Sequence, residues 1–160
     1  MSDLTDSLKS LLANATIMYH RVHGFHWNVV GADFPEWHEK FEEIYSDVYE
    51  SLDPIAENLR KLGEVAPFRL SELEALASVS DDAVADYIPQ TLIASLVDTN
   101  RGVLAILTTC FDEADAANEQ GVANFLAERI EMHQKWNWQL TASVEKSADA
   151  EITNWLRRAR

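Results

Sequence analysis

Long amphipathic stripes constrain this chain more than any other feature. Leu4, Leu8, Leu11, Leu12, Ala15, Met18, Tyr19, Val22, Phe25 and Val29 recur at spacings of three and four, the signature of one buried helix face. Gly31 reads as a C-terminal stop, and Asp33-Phe34-Pro35 as the next helix start with proline in its first turn. A second stripe runs through Trp37, Phe41, Ile44, Tyr45, Val48, Leu52, Ile55, Leu59 and Leu62 and stops at Gly63. Pro54 lies inside it, where it removes one backbone hydrogen bond and should bend the helix. A third stripe passes from Leu92 to Phe111, and a fourth from Val122 to Val144 with Asn118 as its expected cap. Residues 64–80 carry no long periodic run, while Ser80-Asp81-Asp82 is predicted to cap a short helix ending near Pro89. One more short helix is expected around Ile152-Trp155-Leu156. Alternating strand patterns and internal repeats are absent. The fold class is therefore all-α: a four-helix bundle with a short extra helix in the long connection between helices two and three. One domain spans 1–160, with terminal tails at 1–3 and about 146–160.

Charge narrows the function. The net charge is −14, which repels phosphate backbones and attracts cations. General nucleic-acid binding is disfavoured, and binding of metal ions is favoured. The single Cys110 cannot close an intrachain disulfide; on the apolar side of the third helix it reads as a buried, inert thiol. No apolar run is long enough to span a membrane, and Met1-Ser2-Asp3-Leu4 lacks the basic start of a signal peptide, so a cytoplasmic location is expected.

Four of five histidines fall between residues 20 and 38. His20, His23 and His26 share one broad side of the first helix. His38 and Glu42 lie four apart on one face of the second helix, and Asp53 and Glu57 repeat that spacing. Taken singly, each pair is what a solvated helix face also produces. The relation between the pairs is more informative. Glu42 and Asp53 are 11 residues apart, very nearly three turns, so both pairs point the same way but stand about 16 Å apart along the axis. Metal–ligand bonds are near 2 Å, so one ion cannot be held by both pairs of one chain. If all four residues serve one site, the second pair comes from another subunit, as two antiparallel copies about a two-fold axis would allow. An ordinary di-iron site inside one bundle needs Glu-x-x-His on two helices. The residues three before the histidines are Ile17, His20, His23, Pro35 and Ile130, so that motif is absent. Glycine-rich phosphate loops, His-Glu-x-x-His and nucleophile elbows are absent too.

The block His26-Trp27-Asn28-Val29-Val30-Gly31, followed by Phe34, His38, Glu42, Tyr45, Asp53-x-x-Ala56-Glu57 and Leu62-Gly63, resembles the core signature of the Dps family, the mini-ferritins. The segment Arg129 to Trp138 is similar to that family's fourth helix, and the likeness covers about residues 4–145. The resemblance implies a ferritin-like subunit in a hollow twelve-subunit shell that oxidises iron at sites shared across two-fold interfaces. It implies His26, His38 and Glu42 as ligands from one subunit, and Asp53 and Glu57 from its neighbour. Trp27 matches the tryptophan beside the site, with a role in intercepting radicals or anchoring the interface. His23 has no role in the resemblance and reads as structural.

Oxygen and imidazole donors suit Fe(II), and Zn(II) can substitute on the same set. The resemblance further implies Fe(II) and hydrogen peroxide as substrates, ferric mineral stored inside the shell, and protection against oxidative damage. Asp112, Glu113, Asp115 and Glu119 could line an acidic pore, although Asn124 stands where the family often has an acidic residue. Asn58 stands where the family usually has arginine, and Glu42 where many relatives have aspartate. The Lys-rich terminal extension of DNA-binding relatives is missing near the N-terminus, and Arg157-Arg158-Ala159-Arg160 supplies only three cations, so DNA binding is expected to be weak or absent. The alternative is a DNA-compacting or structural shell with silent or zinc-occupied sites.

Overall fold

In the computed structural model, which describes the backbone of residues 2–158 and the side chains of residues 3–144, the first two stripes form helices α1 (Ser2–Asn28) and α2 (Phe34–Lys61). They pack side by side as a hairpin. Pro35 sits in the first turn of α2, and the helix continues unbroken through Pro54. Its far end is a Schellman motif: Glu64 N–H donates to the Leu59 carbonyl and Gly63 N–H to that of Arg60, with Gly63 at φ +86°. The connection carries α3 (Leu70–Leu76), and α4 (Pro89–Ala116) and α5 (Gln120–Arg158) form the second hairpin. Leu4, Leu8, Leu11, Met18, Val22, Phe41, Ile44, Leu59, Leu92, Leu96, Leu107 and Trp136 are buried in one core.

Three expectations need correcting. The short helix is at 70–76, not 81–89. Leu70, Leu73 and Leu76 supply its i, i+3 spacing, and Leu73 is buried. Residues 81–88 contain no helix, because their polar groups bond elsewhere: Ser80 Oγ accepts from Asp82 N–H, and the Asp82 carbonyl accepts from Arg21. Asn118 does not cap the fourth long helix. It ends α4 in the left-handed region (φ 59°), with Glu119 N–H returning to the Ala114 carbonyl, and the Glu119 carbonyl takes the first bond of α5. Finally, α5 runs on through Arg158 instead of breaking before a separate terminal helix. The side chains from Glu145 onward, the terminal arginines included, lie outside the described residues.

The crossing connection runs the length of α1. Lys9 Nζ meets Glu64 at 2.8 Å, Ser10 Oγ donates to the Leu76 carbonyl, and Asn14 Oδ1 accepts the backbone N–H groups of Ser78 and Val79. Further along, Arg21 holds the Asp82 carbonyl, and Val30 N–H donates to the Tyr87 carbonyl. From Lys9 to Val30 this is roughly 30 Å of helix. The chain therefore returns to the α1–α2 turn before α4 begins, so α4 runs parallel to α2.

Candidate metal centre

The α1–α2 turn sets the site. His26 lies in the last turn of α1 and His38 near the start of α2, so the hairpin brings together residues twelve apart. Each imidazole donates to the other residue's backbone carbonyl. His26 Nδ1–H donates to the His38 carbonyl at 2.7 Å, and His38 Nδ1–H donates to the His26 carbonyl at 2.8 Å. The His26 carbonyl is one of the four that a helix end leaves without an internal partner, since Val30 N–H is already given to Tyr87. A carbonyl can only accept, so both rings carry a proton on Nδ1, and the neutral tautomer this selects has its lone pair on Nε2. The rings stack with centroids 3.7 Å apart, and Phe34 stacks on His38 at 5.0 Å. This is how a protein fixes tautomer and orientation in a metal-binding histidine pair.

Glu42, Asp53 and Glu57 project from α2 as exposed carboxylates, and none forms an ion pair among the described residues. Within one chain, no three His, Cys, Asp or Glu side chains gather closely enough to hold a metal among the described residues. One chain thus brings His26 and His38 together and leaves the carboxylates facing outward. Trp27 is 65% exposed. At the α4–α5 turn, Asp112 and Asp115 are exposed, Glu113 and Glu119 are half-buried, and Asn124 donates to Glu128.

Two features were missed from sequence. The first is an aromatic cluster beside the histidine pair. Tyr45 meets His26 and stacks on His23 at 4.1 Å, while His23 also meets Trp27 at 4.3 Å and Tyr19 at 5.5 Å. Burial, followed by the neighbouring His26 and His20, pushes the His23 pKa below the usual histidine range. The second is a polar network in the core. Asn100 Nδ2 donates to the His133 carbonyl, so Asn100 Oδ1 is free to accept His133 Nδ1–H at 2.8 Å. His133 Nε2 then faces Arg129, which pairs with Asp47 of α2 at 2.7 Å. Burial, with Arg129 beside it, pushes His133 down to about 3. Asn100 lies four residues after Leu96 and His133 three after Ile130, positions where the third and fourth stripes call for an apolar side chain, and that break was the available signal. Cys110 is fully buried, and burial drives its thiol up to about 12, so it is inert.

Comparison with known proteins agrees with this fold. Residues 5–149 match the ferritin-like domain family, and the chain belongs to it, among the Dps proteins. A DNA protection during starvation protein of Brevibacillus brevis is 30% identical, over 86% of this chain and 92% of its own. General stress protein 20U of Bacillus subtilis is also 30% identical, over 87% and 95%. The crystal structure of a Dps protein from Vibrio cholerae O1, described as a member of a superfamily of ferritin-like diiron-carboxylate proteins, superposes with a TM-score of 0.84 at 27% identity, covering 89% of each chain. Among the described residues, no helix is long and apolar enough to cross a membrane.

Proposed function

We propose that the chain is an iron-storage and detoxification protein, a ferroxidase that oxidises Fe(II) with hydrogen peroxide at sites shared between two subunits. The observation that carries this reading is the reciprocally bonded His26–His38 pair, whose neutral rings present two bare Nε2 atoms, with Glu42 one turn beyond His38 on α2. Asp53 and Glu57 stand on the same helix, nearly three turns along, out of reach of those atoms within one chain. A second copy packed antiparallel would bring its own Asp53 and Glu57 to the first copy's histidines, twice per dimer. Membership of the ferritin-like family supports iron as the substrate.

Two ferrous ions each give one electron to one peroxide; with two protons, this yields two ferric ions and two waters. Paired delivery avoids releasing the hydroxyl radical. The two imidazoles bind ferrous iron without losing a proton, and the carboxylates offset its charge. Ferric product then hydrolyses inside a dodecameric shell, the assembly we infer from the Dps relatives. Zn(II) takes the same donors and is expected to inhibit. With a charge of −14 per chain, the shell is expected to hold DNA weakly at physiological salt and to reside in the cytoplasm.

Stopped-flow absorbance of ferric product after mixing Fe(II) and peroxide tests this reading. His38→Ala and Asp53→Ala should each lose the fast phase while light scattering still reports an assembled shell. Unchanged rates would remove the site assignment.

A further inference from the structure

The polar network of the core ends on α2 at Asp47, between the two pairs of candidate ligands. His38 lies nine residues before Asp47, and Glu57 ten after it. Those separations are roughly 14 and 15 Å of helix, so Asp47 stands close to the level of the two-fold axis that antiparallel pairing requires. It sits on the flank of the buried side of α2, roughly 130° round the helix from the middle of the face carrying His38, Glu42, Asp53 and Glu57. Arg129 Nη1 meets Asp47 Oδ2 at 2.7 Å, and that oxygen is out of reach of water. Arg129 belongs to α5, and among the described residues α2 and α5 approach each other less closely than either approaches its hairpin partner. The guanidinium bridges that gap and is itself anchored. Its Nη2 donates to His133 Nε2 at 3.3 Å, the Trp136 ring lies 5.7 Å from its central carbon, and Asn100 of α4 fixes His133 through two hydrogen bonds.

We propose that Arg129 is a positioning residue of the two-chain metal centre: through Asp47 it sets the roll of α2 about its own axis, and with it the reach of Glu42, Asp53 and Glu57. The proposal rests on the ferroxidase reading for the pairing of two chains at one site. Apolar packing is non-directional and lets a helix roll a little at small cost. A metal site does not tolerate that freedom. A roll of about 10° carries an atom 5–6 Å from the helix axis through about 1 Å, roughly five times the 0.2 Å within which metal–ligand distances hold. The anchored guanidinium removes the freedom by fixing one point on the flank of α2. Without it the buried Asp47 oxygen is left uncompensated, and turning α2 to carry that oxygen into water relieves the cost. The same turn takes the carboxylates on the far side of the helix out of register. Because Asp47 lies nearly midway between the two pairs, both sites of a dimer are loosened alike.

Titration of the metal-free, assembled full-length protein with Co(II) under argon, followed by visible absorption, reads the centre without any oxidation chemistry. Arg129→Met is expected to bind Co(II) about tenfold more weakly and with an altered visible band, the lower end of what loss of a group orienting metal ligands costs. Arg129→Lys keeps a charge facing Asp47 and should recover most of the affinity. Adding Asp47→Asn to Arg129→Met removes the charge that drives the roll and should restore part of it, which a loss of packing alone would not do. Light scattering checks assembly throughout, and Arg129→Gln, expected to bind severalfold more weakly than the native chain, serves if Arg129→Met does not assemble. Native affinity and spectrum in the assembled Met or Gln variant, with only the melting temperature lowered, would overturn the proposal. Co(II) binding that His38→Ala leaves unchanged would overturn it together with the site assignment. Weakened Co(II) binding in Arg129→Met, beside a native shell that leaves Fe(II) unoxidised by peroxide, would keep the positioning role and remove the ferroxidase reading.

Discussion

His26 and His38 each donate to the other's backbone carbonyl and stack their rings, so removing either ring has two effects. His26→Ala deletes a candidate ligand and the ring stacked on His38, and His38→Ala does the same to His26, while the backbone carbonyl that takes the remaining ring's Nδ1–H stays in place. We therefore expect each single variant to keep one oriented imidazole and to weaken ferrous binding less than the double variant does, which isothermal titration with Fe(II) under argon would check. The stacking is shared between the two rings, so the two losses should add incompletely. His133 makes a different prediction. Its folded-state pKa, about 3, lies below the ordinary value of 6.5, so the folded chain resists a proton that the unfolded chain accepts. Stability from this group is complete above pH 6.5 and is lost as pH falls from there toward 3. The slope approaches one proton, about 1.4 kcal/mol per pH unit. Urea unfolding from pH 7 to 4 should show that slope, and His133→Leu should flatten it. At this scale the sequence was partly legible. The ligand candidates stood out because helical spacing places residues on faces. The bonds that fix the tautomers did not, because they join side chains to carbonyls across a turn whose geometry only the fold specifies.

Between elements, the crossing connection is held by side chains of α1 more than by its own secondary structure. Asn14 is buried and accepts two backbone N–H groups of the connection at once. Asn14→Leu would leave both without a partner, at a cost of about 2–4 kcal/mol. Thermal unfolding should show a melting temperature lower by roughly 5–10 °C. Gly102 marks a second fastening point, since a Cβ there would stand 2.6 Å from Val79 Cγ1. Gly102→Ala should forfeit the roughly 1 kcal/mol that alanine normally adds in a helix interior. Paired with Val79→Ala, the same change should recover it relative to Val79→Ala alone. The four long helices, and the stop of α2 at Gly63, were plain from the sequence. The connection was not: Ser80-Asp81-Asp82 has the composition of a helix cap, yet Arg21, which lies 61 residues before Asp82 in the chain, takes the Asp82 carbonyl and keeps the segment open. Asn118 was misread for a related reason. Asparagine suits both an N-cap and a left-handed C-terminal position, and only the backbone decides.

For the whole molecule, the central claim is that each oxidation site is built from two chains. A gel shift in physiological salt should show little DNA retention, given the acidic charge of every subunit. Subunit complementation addresses the claim itself. His38→Ala chains and Asp53→Ala chains, each inactive when assembled alone, are unfolded together, mixed in equal amounts and reassembled. In a mixed dimer, one site gathers both substitutions while the other has native His38 from one chain and native Asp53 from the other. The reassembled sample should therefore recover fast peroxide-dependent oxidation at about a quarter of the native rate for random pairing. If each chain carried its whole site, every site in the mixture would still lack one ligand. A mixture as inactive as its two parents would contradict the claim.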